Sequence, residues 1–154
     1  MELKKDGIYD SYQYIIYNNI KIESVIINEY ELSQINHGIK KQKTANIKQL
    51  NLLYRSTRDG GSPENYHSKC DGHKNLWNLV KTSDGKKFGG FSSFEMKSIN
   101  WAQKDETAFI ISLDKKQNYY IKNGKNAVYF KKGRGPIFGE RLLLIQNSIL
   151  VLMV

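Results

Sequence analysis

The chain has 154 residues, 40% of them hydrophobic, which is typical of one globular domain and excludes a disordered chain. Lys and Arg number 24 against 15 Asp and Glu, a net charge of +9, but the cations are mostly scattered lysines, so we expect a solvated basic surface and no nucleic-acid partner. The single cysteine excludes an internal disulfide and indicates a reducing compartment.

Neither end of the chain predicts insertion into a membrane. The first ten residues lack the apolar segment of a secretory signal, and no run of about 18 apolar residues is present. The apolar segment 142–154 is interrupted by Gln146, Asn147 and Ser148. That pattern favours two core strands joined by a polar turn over the alternative of a tail anchor. We therefore expect a cytoplasmic protein with no direct membrane insertion.

The N-terminal third predicts an extension, a strand and a helix. Residues 1–22 contain no capped helix and are assigned as an N-terminal extension. This extension either forms one or two strands or is a segment particular to this chain. Residues 23–154 are assigned to the domain. Residues 24–28 predict a short strand. Residues 29–39 predict a helix, because apolar side chains recur at the spacing of one buried face: Leu32, Ile35 and Ile39.

The next segment predicts a strand, a polar loop and a second helix. Residues 50–54 are apolar enough for a strand, and residues 55–61 are polar. In that loop we expect the Asp59 carboxylate to accept hydrogen bonds from nearby backbone N–H groups. Ser62 followed by Pro63 is typical of a helix start, since Ser caps free N–H groups and Pro already has a helical φ. This helix should run to about Cys70.

The remaining chain predicts short strands separated by turns. Residues 76–82 and 87–91 should form a hairpin around a turn at Asp84 and Gly85. Residues 107–113 predict a buried strand, and a further hairpin should join 119–121 to 127–130 through Asn123 and Gly124. Many short strands with few helices indicate an α+β, mainly β fold: a two-layer antiparallel β-sandwich with short flanking helices.

Three groups of residues have the types needed for chemistry, and a structural role is preferred for each. Asp59, Ser62 and His67 have the residue types of a hydrolase triad, but Ser62 is needed as a helix cap and lacks a strained Gly-x-Ser-x-Gly turn. His67, Cys70 and His73 have metal-like spacing but lack a convincing fourth ligand. Lys69 and the two histidines could favour a Cys70 thiolate, against the alternative of a small buried thiol. We predict no catalytic residue, no metal and no cofactor.

Two glycine-containing segments also have a functional and a structural interpretation. Gly89 and Gly90 follow a strand but open no helix, so they indicate a bulge or close sheet packing and not a phosphate-binding loop. Gly133, Arg134 and Gly135 predict a plain turn, with an anion-binding loop as the alternative.

Several short strings, in order from about residue 23, resemble the motifs of the TLDc domain, the module of the oxidation-resistance family. Arg58-Asp59-Gly60 with Ser62 after it resembles the family's "RDG" loop, and the string from His67 to Cys70-Asp71 resembles its "FHxKCD" helix end. Further strings resemble "FGGY", a later "W", "AFIFSL" and "GPTFGG": Phe88-Gly89-Gly90, Trp101, the segment around Phe109, and Gly135-Pro136-Ile137-Phe138-Gly139. We expect these signature residues to be structural.

The resemblance implies a fold of two packed antiparallel sheets and a non-catalytic interaction module. It implies a regulator or adaptor of the vacuolar-type proton ATPase, linked to protection against oxidative stress, monomeric alone and cytoplasmic or held at endomembranes through a protein partner. The alternatives are a subunit of another large assembly and a redox protein using Cys70. We place the binding surface on the side that carries the loops 55–61 and 133–139.

The sequence departs from the family pattern after Gly139, where Glu140 stands in place of a second glycine. The domain therefore looks truncated or divergent beyond this point. Three alternatives follow for the family's closing strand: it is absent, it is replaced by residues 142–154, or it is lost through an erroneous gene end.

Overall fold

The fold is given by a computed structural model that describes residues 13–17, 20–24, 26–42, 47, 49–121, 126–139, 142–143 and 148–153. The elements of this part of the chain are, in order, β1 (Gln13–Tyr17), β2 (Ile20–Ser24), α1 (Glu29–Lys41), β3 (Asn51–Arg55), α2 (Ser56–Asp59), α3 (Pro63–Cys70), β4 (Leu76–Lys81), β5 (Lys87–Ser92), β6 (Trp101–Gln103), β7 (Phe109–Ser112), β8 (Gln117–Tyr120), β9 (Val128–Phe130), β10 (Ile137–Phe138), β11 (Leu142–Leu143) and β12 (Ser148–Met153).

The strands form two main antiparallel sheets. A six-stranded sheet has the order β3-β12-β4-β5-β7-β8, and a four-stranded sheet has the order β11-β10-β9-β6. β1 and β2 pair with each other as a separate hairpin. The predicted fold class, a mainly β sandwich of two antiparallel sheets with few short helices, is confirmed.

Two hydrophobic clusters lie on opposite faces of the six-stranded sheet. One cluster joins side chains of both sheets, among them Tyr54, Val80, Phe130 and Phe138. The other joins the apolar face of α1 to Trp77, Phe91 and Phe109 of the six-stranded sheet. Because both faces of this sheet are covered, β4 is buried at five successive positions, the pattern of a fully enclosed strand.

Helix α1 begins and ends close to its predicted bounds. Asn28 caps it by accepting a hydrogen bond from the Glu31 N–H at 2.9 Å, and the Glu31 carboxylate accepts one from the Asn28 N–H at 2.8 Å. This reciprocal capping box satisfies two N–H groups that the helix leaves free. The predicted apolar face is buried against the sheet: Leu32, Ile35 and Ile39.

β12 lies in the middle of the six-stranded sheet and not at an edge. It pairs with β3 on one side and with β4 on the other, and Val151 on this strand is fully buried. Of the three alternatives for the segment after Gly139, this arrangement corresponds to a strand supplied from within residues 142–154. The polar residues Gln146 and Asn147 lie outside the described residues.

Three local predictions are corrected by the structure. β2 ends at Ser24, so the strand predicted over 24–28 is wrong; Ile26 and Ile27 are instead buried in the segment leading to the α1 cap. The loop 55–61 contains one helical turn, α2. The hairpin predicted over 119–130 is also wrong, because β8 pairs with β7 in one sheet while β9 belongs to the other. Its predicted turn residues, Asn123 and Gly124, lie outside the described residues.

The hairpin predicted over 76–82 and 87–91 forms with bounds that differ by one residue. β4 and β5 form an antiparallel hairpin in which Lys81 faces Lys87, and Gly85 of the connecting turn has φ of +84°. Glycine adopts a positive φ more readily than other residues, so Gly85 allows the chain to reverse direction here. β5 then pairs with β7, the buried strand that the sequence predicted over 107–113.

Candidate functional site

The loop 55–61 is held in shape by Asp59. Its carboxylate accepts a hydrogen bond from the Arg55 N–H at 2.9 Å, as predicted, and bonds from the Arg58 guanidinium at 2.8 and 2.7 Å. The Arg58 hydrogen bond lowers the pKa of Asp59 from 3.8 to about 2. Gly60 has φ of +88°, a conformation that favours glycine, and its carbonyl accepts a hydrogen bond from the Tyr54 hydroxyl at 2.7 Å.

Ser62 caps the start of helix α3, as predicted. The Ser62 hydroxyl accepts a hydrogen bond from the Asn65 N–H at 3.2 Å, and Pro63 is the first helical residue. One turn later, Tyr66 is buried and donates to the Asn78 side-chain oxygen of β4 at 2.7 Å. Its ring packs edge-on against that of Tyr54, with ring centroids 5.4 Å apart. The helix is therefore fastened to the sheet that carries the loop 55–61.

His67 joins α3 to two other segments. Its Nδ1 lies 2.8 Å from an Asp71 carboxylate oxygen, and its Nε2 lies 2.8 Å from the carbonyl oxygen of Arg134. The second Asp71 oxygen accepts a hydrogen bond from the Ser98 hydroxyl at 2.7 Å. His67 thus connects the C-terminal half of α3 to the turn that opens the loop 133–139, and Asp71 connects it to Ser98.

The proposed triad residues are committed to separate contacts. Ser62 is occupied as a cap, Asp59 is bonded to the loop that contains it, and both His67 nitrogens face other acceptors. Catalysis of this kind needs the serine hydroxyl, the imidazole and the carboxylate in one hydrogen-bonded series. The structure places the three on one helix and its leading loop without joining them in such a series.

The metal-like spacing of His67, Cys70 and His73 does not produce a ligand cluster. Across the described ranges, no group of three or more His, Cys, Asp and Glu side chains has the geometry to hold a metal ion. Both His67 nitrogens are already engaged, and Cys70 faces the interior.

Cys70 is fully buried, with 0% of its surface exposed. Burial, together with the negative charges of Asp71 and Asp59, raises the pKa of its thiol from 9.0 to about 12. Neither Lys69 nor a histidine is among the groups that shift this pKa, and the thiol stays protonated at neutral pH. The structure places Cys70 as a small apolar side chain in the core between the sheets.

The paired glycines of β5 permit close packing on both faces. A Cβ on Gly89 would lie 2.5 Å from the Asn78 carbonyl oxygen, and one on Gly90 would overlap the Phe138 ring. Phe138 belongs to the four-stranded sheet and is buried. Gly90 therefore allows the two sheets to approach, which supports the packing interpretation of this pair. Neighbouring Phe88 is partly buried against the same cluster, and Phe109 lies on the opposite face beneath α1.

The loop 133–139 is anchored at both ends. Gly135 and Pro136 are buried, whereas Gly133 and Arg134 are exposed. The Arg134 N–H donates to the Lys131 carbonyl at 3.0 Å, which closes a turn, and the Gly139 N–H donates to the Ala127 carbonyl at 2.9 Å. The geometry corresponds to the predicted turn. Both predicted surface loops are therefore attached to α3, one through Tyr54 and Tyr66, the other through His67.

Two features were missed by the sequence analysis. Asp105 is a buried carboxylate that accepts hydrogen bonds from the Ser92 hydroxyl at 2.8 Å and the Thr107 N–H at 2.9 Å. Burial alone would raise the pKa of Asp105, but the bonds from Thr107, Ser92 and Ser93 outweigh it and lower that pKa. The Asp-x-Thr spacing was the available signal. The second feature is the exposure of Trp101, whose side chain is largely accessible to solvent.

The comparisons with known proteins agree with the geometry. The family model of the TLDc domain matches residues 20–151. Among curated proteins, none matches the sequence. In the described part of the chain, no helix is both long and apolar enough to cross a membrane.

Proposed function

Because this chain belongs to the TLDc domain family, we propose that it is a non-catalytic interaction module. In this proposal it acts as a regulator or adaptor of the vacuolar-type proton ATPase and contributes to protection against oxidative stress. It would work in the cytoplasm, or at endomembranes through its protein partner. The family match over residues 20–151 carries the proposal.

The contacts of the signature residues support a binding role. Asp59 holds the loop 55–61 in shape, whereas His67 and Asp71 connect the end of α3 to Arg134 and Ser98. Cys70 is enclosed. Residues used in this way stiffen a surface and leave little capacity for chemistry. Loops presented on a rigid sandwich are the usual form of a recognition surface. We propose that the partner contacts the side formed by the loops 55–61 and 133–139.

The alternatives are a subunit of another large assembly and a redox protein that uses Cys70. The raised pKa and complete burial of Cys70 weigh against the second alternative. A Cys70→Ser variant separates it from the adaptor. A redox protein would lose its protection of cells against peroxide, whereas an adaptor that still folds would keep it.

An affinity pull-down of the tagged full chain at physiological salt, read by mass spectrometry, tests the proposal. We expect stalk or catalytic-sector subunits of the proton pump to be recovered. A triple variant of the exposed loop residues Thr57→Ala, Gly61→Ala and Arg134→Ala should recover fewer of them. Recovery of a different assembly would leave the interaction module and refute the pump assignment, and recovery of no specific protein by folded chain would refute both.

A further inference from the structure

The tryptophan on β6 is unusually exposed. Trp101 has 69% of its surface accessible, whereas Trp77 is fully buried. β6 is the edge strand of the four-stranded sheet and pairs on one side with β9. An isolated exposed apolar side chain is common on protein surfaces and carries no conclusion by itself. Two further observations at the same place give it significance.

The first observation is an open strand edge beside Trp101. The Gln103 carbonyl accepts a hydrogen bond from the Ala127 N–H at 3.0 Å, so it points toward β9. Backbone groups of successive residues alternate in direction along an antiparallel strand, so the N–H and C=O of Ala102 face the other side. In the described part of the chain no strand pairs there. Such an edge is a template for a strand from another chain.

The second observation is a basic turn, residues 131–134, held against the start of β6. The Lys132 N–H donates to the Asn100 side-chain oxygen at 3.0 Å, and the Tyr129 hydroxyl donates to the Asn100 carbonyl at 2.8 Å. From the other side, His67 Nε2 contacts the carbonyl oxygens of Lys131 and Arg134 at 3.2 and 2.8 Å. These contacts hold the turn 131–134 against Asn100, which is the residue before Trp101.

The charge of this turn is not neutralised by the part of the chain that the structure describes. Lys132 and Arg134 are exposed, and neither they nor Lys131 forms an ion pair with a described residue. Acidic residues near β6 in sequence already have partners: Glu106 lies 2.7 Å from Lys104 and Glu95 lies 3.4 Å from Lys97. A ligand for this place should therefore bring its own negative charge.

We propose that the free edge of β6, with Trp101 and the turn 131–134, binds an extended acidic segment of the partner protein. The segment adds to the four-stranded sheet as a further strand, an apolar side chain covers Trp101, and its carboxylates contact Lys132 and Arg134. This proposal rests on the proposed function as an interaction module and gives the chemistry of the segment that it recognises. A second copy of this chain, with a net charge of +9, is a poor complement to the turn.

The edge of the other sheet provides a matched comparison. β8 is the outermost strand of the six-stranded sheet, and its Tyr119 is 41% exposed. The side chains there already have partners: the Tyr119 hydroxyl donates to Gln117 at 3.1 Å, and the Lys116 ammonium lies 5.0 Å from the ring centroid of Tyr30. Tyr119→Ala is thus an exposed aromatic truncation on an edge strand that the proposal does not use.

The test uses the full chain and two fluorescein-labelled peptides with a Val-Thr repeat at the centre and either Glu or Lys at both ends. In anisotropy titrations we expect the acidic peptide to bind and the basic one to bind far more weakly. Trp101→Ala and the double variant Lys132→Glu, Arg134→Glu should each weaken the acidic peptide by about tenfold or more. Tyr119→Ala should bind as the wild type. Bound peptide should also shield Trp101 from acrylamide quenching.

Far-UV circular dichroism reports whether each variant folds, and the double variant on an exposed turn serves if Trp101→Ala does not fold. Equal binding of the two peptides, or unchanged binding by both the tryptophan and the turn variants, would overturn the proposal. Self-association that disappears in Trp101→Ala would assign the edge to a second copy and also overturn it. If pump subunits are recovered equally by wild type and Trp101→Ala, the proposed function stands and this surface is refuted. If the peptides bind as expected but no pump subunit is recovered, this surface stands and the pump assignment is refuted.

Discussion

The buried carboxylate of Asp105 is the acceptor for several nearby donors. It accepts hydrogen bonds from the buried Ser92 hydroxyl and from the partly buried Ser93 N–H and Thr107 hydroxyl. A buried donor that loses its acceptor destabilises a protein by more than the bond itself contributes. Asp105 therefore links the end of β5 to the start of β7 more strongly than an exposed acid could.

Asp105→Ala should lower the free energy of unfolding by about 3 kcal/mol, because the buried Ser92 hydroxyl and several partly buried donors lose a charged acceptor. Urea denaturation of the purified chain measures this. The control is Glu106→Ala one residue later, whose exposed pair with Lys104 should contribute less than about 1 kcal/mol. Equal effects of the two substitutions would contradict the role given to Asp105.

Asp59 should contribute to stability in a pH-dependent way. In the folded chain the pKa of Asp59 is lowered from an ordinary 3.8 to about 2, chiefly by the Arg58 hydrogen bond. The folded state therefore favours the ionised carboxylate. The stabilisation is complete above the unfolded pKa and is lost as the pH falls through the folded one. The difference in unfolding free energy between wild type and Asp59→Asn should therefore shrink from neutral pH toward pH of about 2. A difference that does not change with pH would contradict this assignment.

At the scale of elements, α3 acts as the part to which both surface loops are attached. His67 contributes most directly, since its ring lies between Asp71 of the helix end and the carbonyl oxygens of the turn 131–134. A turn held by side chains from outside itself becomes mobile when they are removed.

His67→Ala should increase amide hydrogen exchange in residues 131–134 by about tenfold, because opening of the turn becomes easier. Mass spectrometry of peptic fragments measures the exchange, and exposed His37→Ala on α1 is the control. Unchanged exchange in the turn of a folded His67→Ala chain would show that Asn100 alone holds it.

The elements that the sequence predicted well are those with a local signal. Ser62 and Pro63 mark the start of α3, and Leu32, Ile35 and Ile39 mark the buried face of α1. The signature motifs identified the family, because six or more strings occurred in the right order. The hydrogen bond from the Arg55 N–H to the Asp59 carboxylate was also predicted, since Asp side chains in turns commonly accept hydrogen bonds from nearby backbone N–H groups.

The elements that it missed depend on contacts between distant segments. β6, β10 and β11 are two or three residues long and are defined by pairing, not by periodicity. The supposed hairpin over 119–130 failed because its two strands go to different sheets, which no local turn signal reveals. The exposure of Trp101 and the burial of Asp105 likewise depend on which strand becomes an edge and which loop becomes covered.

At the scale of the whole molecule, the two sheets meet where one glycine faces one aromatic ring. The Phe138 ring of the four-stranded sheet occupies the space that a side chain on Gly90 of the other sheet would need. Well-packed interiors yield little when atoms are added, so the separation of the sheets is sensitive to this position.

Gly90→Ala should destabilise the fold by about 1–3 kcal/mol, because its Cβ would overlap the Phe138 ring. Gly61→Ala is the matched control, since a Cβ there meets no atom within 4 Å. Combining Gly90→Ala with Phe138→Leu should recover part of the loss if the clash is the cause. An additive double variant in urea denaturation would contradict this explanation.

We propose that this chain works by binding a partner and not by chemistry at Cys70. The most direct measurement is a titration of purified wild type and Cys70→Ser against purified vacuolar-type proton ATPase, with binding and pump activity followed together. We predict saturable binding with a change in pump activity, equal for the two chains. Absence of binding by the folded wild type, or a pump effect that only the wild-type thiol produces, would contradict the claim.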